Sequence, residues 1–399
     1  MTDQPQIDVD RLTAFRHELH THPEVSGDEH NTSARVHEFL KNLQPDEIVT
    51  GLGGVGLAAI FKGKSEGKRV LVRAELDALP IHETNTDLPY KSQCDGVGHK
   101  CGHDGHMTMI AGLAQAYSAE RPERGEVVLL FQPAEETGKG AAEVCNDEKF
   151  ESIRPDYAFS LHNIPGAKMG SILCKEGAFS SSVESMVIKI KGQTSHAAEP
   201  QHAVAASSIM PQIMSYMEEI SAAGSTEDTF QRAALTWATA GGPNSYGTQA
   251  GSGELHYTLR TREPEKLAAL WDGVVKKVNG EIKAYNETHG LTEKNGLSAT
   301  FESVEPFMAN MNHPEAVELV KKAAQANALE YVDMKLPNDW GEDFGYFTNL
   351  EGVKGVMFGL GSGKDTPPLH HEQYDFPDEL IPKGVGVFHH MVASIDHDM

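Results

Sequence analysis

Residues 126–136 read Glu126-Val127-Val128-Leu129-Leu130-Phe131-Gln132-Pro133-Ala134-Glu135-Glu136: a continuous apolar run, a proline that ends it, then two adjacent carboxylates. A strand apolar on both faces is one buried on both faces, as in a parallel sheet covered by helices. The run has companions in Gly56-Leu57-Ala58-Ala59-Ile60-Phe61, in Arg69-Val70-Leu71-Val72, and over residues 157–161 and 353–360. Helical patterns lie between and before them. Residues 8–22 carry Val9, Leu12, Phe15 and Leu19 at helical spacing with Pro23 beyond, and residues 31–43 and 107–120 read likewise. Strands alternating with helices predict an α/β domain around a largely buried, mixed sheet.

The middle of the chain has a different rhythm. Residues 185–191 alternate like a strand with one solvated face, residues 203–220 read as a long helix, and 234–239 and 254–262 as strands. Residues 265–289 read as a second long helix and 297–304 as a last strand. The order β-α-β-β-α-β is that of a ferredoxin-like α+β unit. It predicts a second domain, residues 183–306, inserted into a first that spans 1–182 and 307–399.

Composition narrows the function. Among 399 residues, 34 Lys+Arg against 58 Asp+Glu leave a net charge of −24, which argues against nucleic acid or an anionic membrane, since both reward basic residues. No stretch has the ~18–20 apolar residues of a membrane span. Met1-Thr2-Asp3-Gln4-Pro5-Gln6 lacks the regions of a secretory signal, so Cys94, Cys101, Cys145 and Cys174 are expected as reduced thiols in a cytoplasm. Gly54-Val55-Gly56-Leu57-Ala58-Ala59 satisfies a dinucleotide fingerprint, but strand, turn and strand follow where a helix must open, so it reads as a hairpin. No nucleophile elbow, H-E-x-x-H or C-x-x-C motif is present.

The chemistry lies where the strands end. Arg69-Val70-Leu71-Val72 runs toward Glu75-Leu76-Asp77, residues 126–132 toward Glu135-Glu136, and residues 157–161 into His162-Asn163, while residues 353–360 precede a Gly-rich loop and His370-His371. His99, Cys101, His103 and His106 add a fifth segment, a loop leading into a helix. Ligands of open α/β sheets bind outside the carboxyl ends of the strands, so parallel neighbours would bring all five to one rim. Singly, each segment has an ordinary reading as a solvated loop or a satisfied buried histidine. Together they supply thiolate, imidazole and carboxylate in the numbers a zinc-like site needs. Adjacent Glu135 and Glu136 on an extended backbone would point apart, leaving one for metal and one for substrate.

At these residues the sequence resembles metallopeptidase family twenty, in its amidohydrolase branch of aminoacylases, hippurate hydrolases and indoleacetyl-amino-acid hydrolases. The resemblance is carried by Cys101-Gly102-His103-Asp104-Gly105-His106, Pro133-Ala134-Glu135-Glu136, Leu161-His162-Asn163, Ser195-His196-Ala197-Ala198-Glu199-Pro200 and Leu369-His370 through Tyr374-Asp375-Phe376. It implies a two-metal catalytic domain and an inserted lid domain that also forms a homodimer. It further implies Cys101, His103, Glu136, His162 and His370 as ligands of two divalent ions (Zn, Mn, Co or Ni), with Cys101 bridging. Glu135 would be the general base, Asp77 a carboxylate orienting a ligand, and His196 an oxyanion donor lent to the partner subunit's site. Arg260 would grip a substrate carboxylate. The family's lid asparagine aligns with Gly247, which leaves Asn244 or Tyr246 as the substitute contact.

The implied reaction is hydrolysis of an N-acyl amino acid to a carboxylic acid and a free amino acid. A dipeptidase or carboxypeptidase would use the same metals and base. A metal-binding module without catalysis would have no use for Glu135.

Overall fold

The computed structural model describes residues 5–223, 230–242 and 246–395. They fall into two compact units, residues 1–179 with 310–337 and 342–399, and residues 180–309 with 338–341. Both cuts lie three residues outside the expected 183–306 segment, and the return of 338–341 to the second unit carries no periodicity to announce it.

The first unit is built on an eight-stranded mixed sheet. Its order is Glu47–Leu52, Gly56–Lys62, Glu126–Gln132, Arg69–Glu75, Tyr157–Ile164, Lys354–Gly361, Ile172–Cys174 and Tyr331–Asp333. The central four, from Glu126–Gln132 to Lys354–Gly361, are mutually parallel, so their carboxyl ends open onto one rim. All but the ends of these strands are buried. Each fully covered Val, Leu or Phe contributes about 1.5–3 kcal/mol relative to exposure. The Gly54 motif is a hairpin turn: Glu47–Leu52 pairs antiparallel with Gly56–Lys62, and Gly53 and Gly54 have φ of 54° and 102°.

The helix expected from residue 107 begins four residues earlier, as His103–Ala119. Gly102, at φ 91°, turns the chain into it, so His103 and His106 sit on its first turn, three residues apart on one face. The helix is buried through Tyr117, its Leu113 sharing one core with Leu12, Val70, Leu129 and Val385. The first helix, Val9–Thr21, is capped by the Asp8 carboxylate, which accepts from Arg11 N–H at 3.0 Å.

In the second unit, Ser182–Lys191, Gln231–Ala240, Ser252–Thr261 and Ser298–Phe307 form an antiparallel sheet. The second strand in chain order is at one edge, followed by the third, first and fourth. Ser252–Thr261 alternates buried and half-buried residues. Helix Pro264–Thr288 buries Leu267, Leu270, Val274, Val278 and Ile282 at helical spacing in the core shared with that sheet. The long helix expected over 203–220 is shorter, Met210–Ala223. Val204 exchanges backbone hydrogen bonds of 2.9 Å with Gln193, which uses the groups a helix would need. Pro211 has no N–H and fits only the first turn. Among the described residues no helix is long and apolar enough to cross a membrane, and all four cysteines are free.

Candidate metal centre

Every proposed ligand lies in the first unit. Strand Arg69–Glu75 delivers Asp77 two residues past its end, and strand Tyr157–Ile164 carries His162 within its last turn of pleat. After strand Glu126–Gln132, Ala134 adopts φ 53° and the chain enters a tight 3₁₀ turn, Glu135–Thr137. This turn overturns the expectation drawn from an extended backbone. Ala134 N–H donates to Glu29 Oε1 (2.7 Å) and its carbonyl accepts from Gly140 N–H (3.1 Å). The curled chain brings both carboxylates beside one imidazole, with Glu135 Oε2 3.8 Å and Glu136 Oε1 3.9 Å from His103 Nε2.

Two groups of ligand atoms share one sulfur. Cys101, His103 and His162 form one set and Cys101, Glu136 and His370 the other, all atoms within each set lying within 4.8 Å of one another. Cys101 Sγ is 3.4 Å from His162 Nε2, and Glu136 Oε2 is 3.6 Å from His370 Nε2. Asp77 touches the ligands rather than joining either set. Its carbonyl is 2.8 Å and its Oδ1 3.4 Å from His103 Nδ1, and its Oδ2 accepts from Glu136 N–H (2.9 Å) and Ser26 Oγ–H (2.7 Å). That fixes His103 with Nε2 facing the carboxylates, the arrangement by which outer groups orient metal-binding histidines.

Electrostatics point the same way. Burial and the neighbouring Glu136 and Glu135 carboxylates push the Cys101 thiol well up. Burial raises Glu136 to about 7 despite His103, and raises Glu135 well above the carboxylate range with help from Glu342, Glu136 and Asp343. Burial would lower His103, but Glu75 and Asp77 carry it to about 10. A divalent cation displaces such protons from thiol, imidazole and carboxyl. His103 Nε2 and Glu136 Oε1 are both buried without a hydrogen-bond partner among the described residues. These two donor atoms, with a thiol and further imidazoles around them, fit metal ions of borderline softness.

Behind the ligands lies a layer centred on Arg73, which no motif in the sequence singles out. Arg73, fully buried, donates from Nε to Gln132 Oε1 (2.9 Å), from Nη2 to Glu342 Oε1 (2.8 Å) and Asp343, and from Nη1 to Glu75. Glu75 Oε2 is 2.8 Å from His106 Nδ1, and His106 Nε2 is 2.6 Å from Asn163 Oδ1. Glu342 and Asp343 also cluster with Glu135, so the proposed base faces a carboxylate pair balanced by one guanidinium. For Glu342 and Asp343 the sequence signal is their adjacency alone, which looks like a solvated loop. His99 is buried near His20 but joins neither ligand set.

Two other expected residues, His196 and Arg260, belong to the second unit. His196 is exposed on a two-residue strand opposite Thr248, its Nδ1 accepting from Ala198 N–H at 3.1 Å. Arg260 is half-buried and donates to Asp339 O at 3.1 Å. Asn244 lies outside the described residues, while Tyr246 is 88% exposed and Gly247 O accepts from Ala197 N–H at 2.9 Å.

Comparison with known proteins agrees with this geometry. The chain is 29% identical over 391 residues to an N-acetyldiaminopimelate deacetylase of Listeria monocytogenes serotype 4a (strain HCC23), covering 97% of this chain and 100% of the relative. It is 28% identical over 372 residues to an N-acetylcysteine deacetylase of Bacillus subtilis (strain 168), covering 93% of each. The crystal structure of the Bacillus subtilis YXEP protein, described as a dinuclear metal binding peptidase, superposes with a TM-score of 0.77 at 26% identity, over 96% of this chain and 97% of that one. Residues 71–394 match the model of peptidase family M20/M25/M40, a span that holds every proposed ligand from Cys101 to His370, and the chain belongs to this family.

Proposed function

We propose that this protein is a metal-dependent amidohydrolase that cleaves N-acyl amino acids to a carboxylic acid and a free amino acid. The observation that carries the reading is the pair of ligand sets sharing Cys101, with Glu135 against one of them. Cys101, His103, Glu136, His162 and His370 would hold two divalent ions. Bound there, such ions lower the pKa of a water and polarise a carbonyl.

The chain's own residues do the remaining work. Glu135 takes the proton of the attacking water and returns it to the departing amine. Its neighbours Glu342 and Asp343 raise its proton affinity, and Arg73 limits that rise. Asp77 holds His103 in one orientation through two contacts at Nδ1. The deacetylase relatives support N-acyl amino acids as the substrate class, with acetyl as the first acyl group to try.

The second unit would be the ferredoxin-like lid and the homodimer surface. Its β-α-β-β-α-β order supports the first role, and the edge strand Gln231–Ala240, which exposes Leu235 and Trp237, supports the second. In that arrangement His196 would stabilise the oxyanion in the partner's site, Arg260 would pair with the substrate carboxylate, and Asn244 would supply the contact absent at Gly247. Four free cysteines suit a reducing compartment such as the cytoplasm.

The test is a hydrolysis screen of N-acyl amino acids and dipeptides with protein loaded with Zn, Mn, Co or Ni. The reading expects N-acyl amino acids to be the best substrates. Dipeptides cleaved faster than every acyl amino acid would overturn it.

A further inference from the structure

Lys100 precedes Cys101 and is fully buried, which for an ammonium demands partners. Its Nζ donates to Glu83 Oε1 at 2.8 Å and to Tyr374 O at 2.9 Å. Its own carbonyl accepts from His370 N–H at 2.8 Å. One residue therefore grips a single loop at two points, 370 and 374, while its peptide neighbour is Cys101. His370 needs such a grip. It has φ 63°, a left-handed conformation that a histidine keeps only where its surroundings impose it. Its side chain is half exposed, whereas Cys101, His103 and His162 are buried.

We propose that Lys100 is a positioning residue for the Cys101–Glu136–His370 metal position, tying the His370 loop to the loop that carries Cys101 into helix His103–Ala119. The inference rests on the metal reading above. It adds that the two positions depend unequally on this lysine, since its ammonium bonds Tyr374 O on the loop that carries His370, and that loop supplies a ligand to the Cys101–Glu136–His370 set and not to the Cys101–His103–His162 set. The competing role is charge balance alone: Lys100 would merely neutralise the buried Glu83, which also meets His20 Nε2 at 3.2 Å and Ser92 N–H at 2.7 Å.

The experiment titrates Zn²⁺ into metal-stripped wild type, Lys100→Met, and the double variant Lys100→Met/Glu83→Gln, by calorimetry with chelator competition, and records the melting temperature of each. Methionine keeps the stem and loses the ammonium. The double variant also removes the stranded carboxylate, so it provides a folded protein if the single variant fails to fold. We expect the first equivalent to bind with wild-type affinity and the second to weaken by roughly 10–100-fold, the range typical of lost outer-layer partners. That deficit should persist in the double variant while its melting temperature recovers. Wild-type binding of both equivalents in Lys100→Met, equal weakening of both, or recovery of the second equivalent together with stability would overturn the inference alone. Wild-type protein that takes up no second Zn²⁺ would sink the metal reading, and this inference with it.

Discussion

His20 is buried between two acids, with Nδ1 2.8 Å from Asp104 Oδ2 and Nε2 3.2 Å from Glu83 Oε1. Burial alone would lower its pKa, but the two carboxylates outweigh burial and raise it to about 9. A histidine raised on folding stabilises the native state fully below its unfolded pKa of about 6.5, and that stabilisation disappears as pH climbs through the folded value. The shift corresponds to about 3 kcal/mol. Wild type should therefore melt well above His20→Gln at pH 6, with the gap closing by pH 9.5, as followed by calorimetry across that range. A gap independent of pH would show that His20 acts by packing and not by charge. The neighbouring Arg16, buried against Asp104 (3.0 Å) and Asp375 (2.9 Å), keeps its charge throughout this range and so adds nothing to the slope.

Helix His103–Ala119 places two of the site's histidines, and Gly102 decides where it starts. A Cβ on Gly102 would lie 2.7 Å from Asn163 Oδ1, which already faces His106, and its φ of 91° strains any L side chain. Gly54 has a similar φ of 102° but open space around it. Gly102→Ala and Gly54→Ala should both lose roughly 1–3 kcal/mol for the backbone. Gly102→Ala should lose more, together with metal content, because Cys101 and His103 flank it. Equal losses with metal retained would detach the cap from the site. The same helix marks how far sequence reading carries. The sheet strands are legible because burial on two faces leaves runs such as Val127 to Phe131 with no polar break, and the Gly53-Gly54 hairpin because strands flank it. The helix start is not legible, since His103, Asp104 and His106 are polar residues buried for their chemistry and so break the apolar period. Arg73 and Glu342 escape for another reason: they meet across 269 positions of chain, and nothing local to either forecasts the contact. The turn at Glu135 escapes because its cause, Glu29, lies 105 positions away.

Across the whole molecule, a His196 lent to the partner's site means that two subunits would build each site. His196→Ala and Glu135→Gln should each be nearly inactive alone. A mixed dimer of the two contains one site with both residues intact, so mixing under conditions of shown subunit exchange should restore part of the activity. Continued inactivity after exchange would confine the site to one chain and remove His196 from it. Beneath that lies the proposed division of labour at the metal centre, in which Glu136 would bind metal and Glu135 would move the proton although both approach His103 to within 4 Å. Its most direct test is elemental analysis and kcat, side by side, for wild type and Glu135→Gln after stripping and reloading. Two metal ions per chain are expected in both proteins, with kcat of the variant lower by roughly 10²–10⁴, the range for lost acid–base catalysis. A variant that keeps near wild-type kcat, or a metal-free wild type that hydrolyses its substrate at full rate, would contradict it.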